Sequence, residues 1–313
     1  MQAVENKNEK FRFRHLPELV KATAITWNKG NPWRLSAVVA YYAILSMPGL
    51  LVVIISLVGY IWGAELVKGE VYSHIKSFMG ASAAASAQSM FEHARDGSGS
   101  LVVTIIGIAA LVYGATGVFY HLQISINEIW GISSAPKNEI LKYVLDRARG
   151  FGFVLIIGFL LMVSFVISAI VSALQNYVGY FLPEFTYLIL QGTNFIFSLG
   201  VITLLFALIF KYLPDVDISW RSVWVGAFIT SVLFAIGKEI LSYYFGVADP
   251  GNAYGAAGSI IIILLWVSYT SLILFFGAEF TWVFTIRYGL KLKLSSHARF
   301  IKKNETTAIY ENE

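Results

Sequence analysis

Few residues in this chain could do chemistry, and most of them sit in or beside long apolar runs. Lys238 and Glu239 interrupt one run, Glu279 lies near the end of another, and His121, Gln123, Asn127 and Glu128 follow a third. An ionisable side chain in lipid is costly and marks a functional site by default. Lys238 and Glu239 are neighbours, so on a helix they point about 100° apart, and each needs a separate partner or water. One reading is a lysine that snorkels toward the interface beside an interfacial glutamate. The other is a water-filled cavity that binds an anionic or polar substrate. The five histidines, His15, His74, His93, His121 and His297, show no ligand spacing, and the chain has no cysteine. No metal site, catalytic group or cofactor is therefore assigned. No G-x-x-x-x-G-K-[ST] loop occurs, so any energy for work comes from a gradient or a partner.

The elements that must hold these residues are apolar helices. Of 313 residues, 57% are hydrophobic and 13% charged, against about 25% charged in soluble domains. Six stretches reach the roughly 20 apolar residues a span requires: 35–62, 101–121, 151–174, 187–210, 220–245 and 256–284. The expected fold is all-α, a polytopic membrane bundle of six transmembrane helices. An extracytoplasmic helical loop, 63–100, joins spans one and two. No cleavable signal peptide is visible, and the first run reads as a retained span. Residues 1–34 form a basic N-terminal segment in which Leu16, Leu19, Val20, Thr23 and Trp27 recur with helical spacing, as in a helix on the inner leaflet. The transmembrane domain covers 35–286, and 287–313 is a basic and polar tail.

Lysine and arginine set the orientation. Nineteen fall on the side of the two termini and three, Lys68, Lys76 and Arg95, on the other, with Lys238 inside a span. Both termini are thus expected in the cytoplasm of a bacterial-type inner membrane. Gly107, Ala110, Gly114 and Gly117 line one helical face and suit close helix packing. Pro48 is expected to kink the first span.

Several ordered stretches resemble the YihY/BrkB family of integral membrane proteins, whose older label is "ribonuclease BN-like". They are Ala40-Tyr41-Tyr42 with Ser46, Asn127-Glu128-Ile129-Trp130, Leu213-Pro214-Asp215 with Trp220-Arg221, Gly226-Ala227, Tyr254-Gly255-Ala256-Ala257-Gly258, Leu265-Trp266 and Gly277-Ala278-Glu279. The likeness runs from about residue 20 to 290, with two departures: Gly49 follows Pro48, and Ala235 stands where an acid can precede the lysine by three residues. The resemblance implies six spans and a transporter or envelope-lipid translocation role with no settled substrate. The ribonuclease label finds no support, because a nuclease needs a hydrated phosphate site with metal-binding carboxylates or paired histidines.

The leading expectation is a transporter, exporter or lipid flippase for an amphipathic or anionic envelope substrate. Its candidate binding residues are Tyr41, Tyr42, Ser46, His121, Asn127, Glu128, Lys238, Glu239, Tyr254 and Glu279, in a cavity lined by spans one, two, five and six. An intramembrane enzyme would use His121, Glu128 and Glu279. An assembly partner of an envelope complex would present the segment 65–95. Membrane lipids and an unknown small-molecule or lipid substrate are the expected partners, nucleic acid is not, and a homo-oligomer stays open.

Overall fold

The computed structural model describes residues 13–46, 101–134, 141–142, 144–150, 152–153, 156, 183–248, 250, 258–288, 290, 292–295 and 298–300, with isolated positions at 72, 76, 85 and 88. Pro48, Tyr254, most of the expected third span and the tail beyond 300 lie outside the described residues, as does the loop 63–100 apart from its four helical positions.

The helices in chain order are α1 (Leu16–Lys29), α2 (residues 32–46), α3 (Leu101–Ile129), α4 (helical wherever described between 141 and 156), α5 (Pro183–Tyr212), α6 (Trp220–Ala248) and α7 (Gly258–Arg287). Among them, Phe195–Tyr212 of α5, α6, and Ile260–Arg287 of α7 are long and apolar enough to cross a membrane. At about 1.5 Å per residue, the 29 residues of α3 have the length as well. The end of the bundle where α3, α5 and α7 finish and α6 begins carries most of the described basic side chains, and it is called the basic end below.

The chain is mostly helical, but the all-α expectation needs one correction. Four three-residue strands occur: β1 (Ile132–Ser134), β2 (Val216–Ile218), β3 (Leu292–Leu294) and β4 (Ala298–Phe300). β1 pairs antiparallel with β4 and β2 with β3. The segment after α7 therefore folds back over the connectors that follow α3 and precede α6. Backbone groups in these connectors have left their helices and need partners. The pairing supplies them, and the Ser295 amide adds a bond to the Asp215 carbonyl at 3.1 Å.

α6 and α7 interlock through two copies of one pattern, Gly226-Ala227-Phe228-Ile229-Thr230 and Gly277-Ala278-Glu279-Phe280-Thr281. A Cβ built on Gly226 would lie 1.8 Å from Thr281 Oγ1, and one on Gly277 would lie 1.8 Å from Thr230 Oγ1. Each threonine hydroxyl donates to the glycine carbonyl four residues earlier on its own helix, at 2.7 and 2.8 Å. The hydroxyl's hydrogen is satisfied within its helix, and its bulk fills the notch opposite. Helices in lipid associate mainly by such close packing. Gly226→Ala should cost about 1–3 kcal/mol by overpacking, read as a lower unfolding midpoint in detergent. Adding Thr281→Gly should return part of that loss. An unshifted midpoint for the single variant would remove the interlock from the account.

α2 meets α3 in the same way. A Cβ on Gly114 would reach the Ser46 Cα at 2.5 Å, and one on Gly117 the Tyr42 ring at 2.6 Å. α1 forms with the helical spacing its sequence suggests, but its apolar face is not all given to lipid. Leu19 and Thr23 are buried. Leu19 packs with Phe280, Val283 and Phe284 of α7, and the Trp27 ring meets Phe276 edge-on at 5.9 Å.

Candidate functional site

Among the described residues, a cluster of polar side chains lies at the basic end, where α3, α4 and the turn after α5 meet. The turn Leu213-Pro214-Asp215 stops α5 and delivers Asp215 into the core, where its residue is 2% exposed. Asn127, in the last turns of α3, engages it twice. The Asn127 amide donates to Asp215 Oδ2 at 3.0 Å, and Asn127 Oδ1 accepts the Asp215 backbone N–H at 2.9 Å. Gln123, one turn earlier, donates to Asp215 Oδ1 at 3.1 Å. On α4, Lys142, Asp146 and Arg149 recur at helical spacing and bring charge to the same point. Lys142 Nζ lies 3.0 Å from Asp215 and 3.1 Å from Asp146. Arg149 lies 3.2 Å from Asp146 and 3.9 Å from Asp215. Two buried carboxylates are thus balanced by two cations and two amides. The contacts to Asp215 join segments distant in sequence, while those of Asp146 with Lys142 and Arg149 lie within α4.

Three residues further on, Trp130 ties the same end to α7. Its ring is fully buried, Nε1 donates to the Ala278 carbonyl at 2.9 Å, and it stacks on Trp282 with centroids 5.7 Å apart. Gly131 follows with φ 63, the left-handed conformation that ends a helix at little cost in glycine. The stretch from Asn127 to Gly131 therefore holds the turn at 213–215, binds α7 and terminates α3.

A second cluster lies deeper along α3. The His121 ring stacks on Tyr42 at 4.2 Å and meets the neighbouring Tyr120 edge-on at 5.4 Å. From α4, half-buried Arg147 donates to Thr116 Oγ1 at 2.6 Å and lies 5.6 Å from the Tyr120 ring centroid. Phe119 and Phe153 stack below this contact at 5.6 Å. The result is a seam of histidine, tyrosines and arginine between α2, α3 and α4.

The other sequence-derived candidates divide between places. Tyr41 is 58% exposed on α2. Ser46 Oγ donates to the Ala43 carbonyl of its own helix at 2.8 Å. Exposed Glu128 pairs with Arg34. Glu279 is 3% exposed, beneath α1. Lys238 and Glu239 lie 18 and 19 residues beyond Trp220, some 27 Å along α6 from the basic end. They join none of the clusters there. The expectation that they cannot meet is corrected, since Lys238 Nζ stands 3.2 Å from Glu239 Oε1. Two long side chains can curl around 100° of helix surface even when their Cβ directions diverge. At the start of α1, Arg287 bonds Glu18 at 2.7 Å and holds that exposed carboxyl below the usual carboxylate range. Among the described residues, no three His, Asp or Glu side chains are grouped to hold a metal ion.

Asp146, Lys142 and Arg149 were not among the candidates from sequence, and Asp215 entered only as part of a turn. The available signal was the spacing of Lys142, Asp146 and Arg149 on one helical face. What the sequence does not show is that this face turns inward.

Apolar helices of membrane-crossing length, joined at one end by a buried ionic network, define a polytopic membrane protein. Residues 27–302 match the family described as Virulence factor BrkB, and the chain belongs to that family. It is 27% identical over 177 residues to a UPF0761 membrane protein of Glaesserella parasuis, a match covering 56% of this chain and 60% of the relative. A UPF0761 membrane protein of Haemophilus influenzae is 25% identical over 258 residues, covering 80% of this chain and 88% of that protein. Against Legionella pneumophila the identity is 25% over 201 residues, 63% of this chain and 46% of the relative. The match thus spans less than two thirds of some of these relatives. No solved structure matches the chain.

Proposed function

We propose that the protein is an inner-membrane transporter, exporter or lipid flippase for an amphipathic or anionic envelope substrate, without an ATPase of its own. The observation that carries this reading is the half-buried seam of Tyr42, His121, Tyr120 and Arg147 among apolar helices. A guanidinium suits a phosphate or carboxylate headgroup, and the rings beside it suit an apolar body. Six spans with both termini cytoplasmic agree with the charge count and place the basic end on the cytoplasmic side. Membrane lipids are then its surroundings and the source of its substrate, while nucleic acid is not a partner, and a homo-oligomer is compatible with the reading.

Catalysis is the weaker reading. His121 stacks on Tyr42 and meets Tyr120 edge-on, Glu128 pairs with Arg34, and the two are seven residues apart on one helix, about 10 Å along its axis. We therefore take the protein not to be an enzyme, and the ribonuclease label in particular is unsupported by these positions.

The test is headgroup-labelled phospholipid exchange between leaflets of reconstituted vesicles, alongside an inventory of envelope lipids and exported metabolites in deletion and overexpression strains. Faster exchange that drops at least tenfold in Arg147→Gln with unchanged folding is the expected result. A Lys238→Met variant tests the far pair in the same assay. Exchange equal to that of protein-free vesicles, with an unchanged lipid and metabolite inventory, would overturn the reading.

A further inference from the structure

We propose that Glu279 is a proton-binding site enclosed by α1, and that its proton controls how tightly α1 docks on α7. This does not depend on the transport reading.

Glu279 is buried, yet no lysine, arginine or histidine among the described residues forms an ion pair with it. The surrounding elements offer none. On α1, Glu18 is taken by Arg287, while Lys21 and Lys29 are exposed. On α3, Glu128 is taken by Arg34, and Trp130 is spent on Ala278. On α6, the residues facing this stretch of α7 are Gly226 and Thr230. Arg221 of α6 is exposed, and Lys238 and Glu239 lie toward the other end of that helix.

What does meet Glu279 is polar and neutral, and it comes from α1. Its carboxyl lies within reach of the Thr26 hydroxyl. That hydroxyl has one hydrogen, which can go to the Ala22 carbonyl at 3.0 Å, to the Thr23 carbonyl at 3.2 Å or, when the carboxyl is ionised, to Glu279. While it donates within α1 it accepts from a protonated Glu279, and an ionised Glu279 would instead draw that hydrogen away from the helix carbonyls. Thr23 and Trp27 lie on the adjoining face of α1. Thr23 Oγ1 and Trp27 Nε1 are buried with no hydrogen-bond partner among the described residues. The Trp27 ring packs on Phe276, one turn from Glu279. Around Glu279 the interface thus holds a carboxyl, two hydroxyls and an indole N–H without a counter-cation; the Arg287–Glu18 pair and His15, which bonds Tyr288 at 2.9 Å, lie more than two turns further along α7. Such a setting accommodates a neutral carboxyl, whereas an ionised one would need water or a cation. Releasing the proton therefore loosens α1, and undocking α1 eases the release.

The absence of cysteine permits a direct test on this 313-residue chain in lipid nanodiscs. Thr23→Cys places a thiol at the buried site and Ala24→Cys a reference thiol on the exposed face of α1. The ratio of their maleimide reaction rates removes the part of a thiol's titration that the two sites share. That ratio is expected to rise about fivefold or more, in the range of usual coupling between sites, from acidic to alkaline pH. It should be flat in Glu279→Gln and pH-dependent again in Glu279→Asp. Hydrogen–deuterium exchange of the unmodified chain provides a second readout, with protection of α1 amides falling as pH rises after correction for intrinsic exchange. A ratio that keeps its pH dependence in Glu279→Gln overturns the proposal. So does α1 protection that is indifferent to pH in the unmodified chain.

Discussion

Asp215→Ala is expected to remove about 3–5 kcal/mol of stability, the usual result of leaving a buried charge without its partner. The reason lies in the inventory around it. Lys142 Nζ at 3.0 Å, Gln123 Nε2 at 3.1 Å and Asn127 Nδ2 at 3.0 Å are all donors aimed at this one carboxylate. Alanine removes the acceptor that all three share. Asp146 still neutralises Lys142 at 3.1 Å, which keeps the loss toward the lower end. Asp215→Asn is not conservative here, since its new N–H group would face donors and have nothing to donate to. Unfolding in mixed micelles measures each cost, and the cycle with Lys142→Ala apportions it. Contacting residues in one network should show a coupling of about 0.5–3 kcal/mol. Strict additivity of the two substitutions would mean that the ionic contact carries no stability.

The network also shows what a sequence can and cannot disclose about such a protein. Apolar runs marked α5, α6 and α7 to within a few residues, because crossing lipid imposes a length and a composition that few other demands imitate. α1 was legible for a related reason, since Leu19, Thr23 and Trp27 keep helical spacing. What that spacing could not say is whether the face turns to lipid or to protein. α7 supplies an equally apolar surface, and Leu19 and Thr23 are buried with it. The strands at 132–134 and 298–300 were hidden more deeply. Three residues carry no period to read, and their pairing is a contact across more than 160 residues. The ordered motifs were visible as strings, but their meaning is spatial. Asn127 belongs with Asp215, Trp130 with Ala278 and Gly226 with Thr281. Each pair joins two motifs that are weak when taken singly. Lys238 and Glu239 failed the other way, because reasoning from Cβ directions ignored the reach of two long side chains.

Trp130→Ala should cost about 3–5 kcal/mol, the range for removing a buried tryptophan. The site gives the cavity little chance to collapse. The lost ring is fully buried and stacks on Trp282, which in turn packs against Phe300 of β4 at 6.2 Å. Loss should therefore spread to the strand pair that closes the basic end. Trp130→Phe separates the two contributions. Phenylalanine keeps most of the ring but has no N–H for Ala278, and its hydrogen-bond share is about 0.5–1.5 kcal/mol. Because the Ala278 carbonyl lies within α7, it keeps a helical partner when the indole leaves, so the smaller figure applies. A single cysteine at Phe300 reads the spread, since its alkylation should quicken in Trp130→Ala and change little in Trp130→Phe. Equal losses in the two variants would assign the stability to the hydrogen bond alone. Unchanged alkylation in Trp130→Ala would show that the strand pair holds without the ring beneath it.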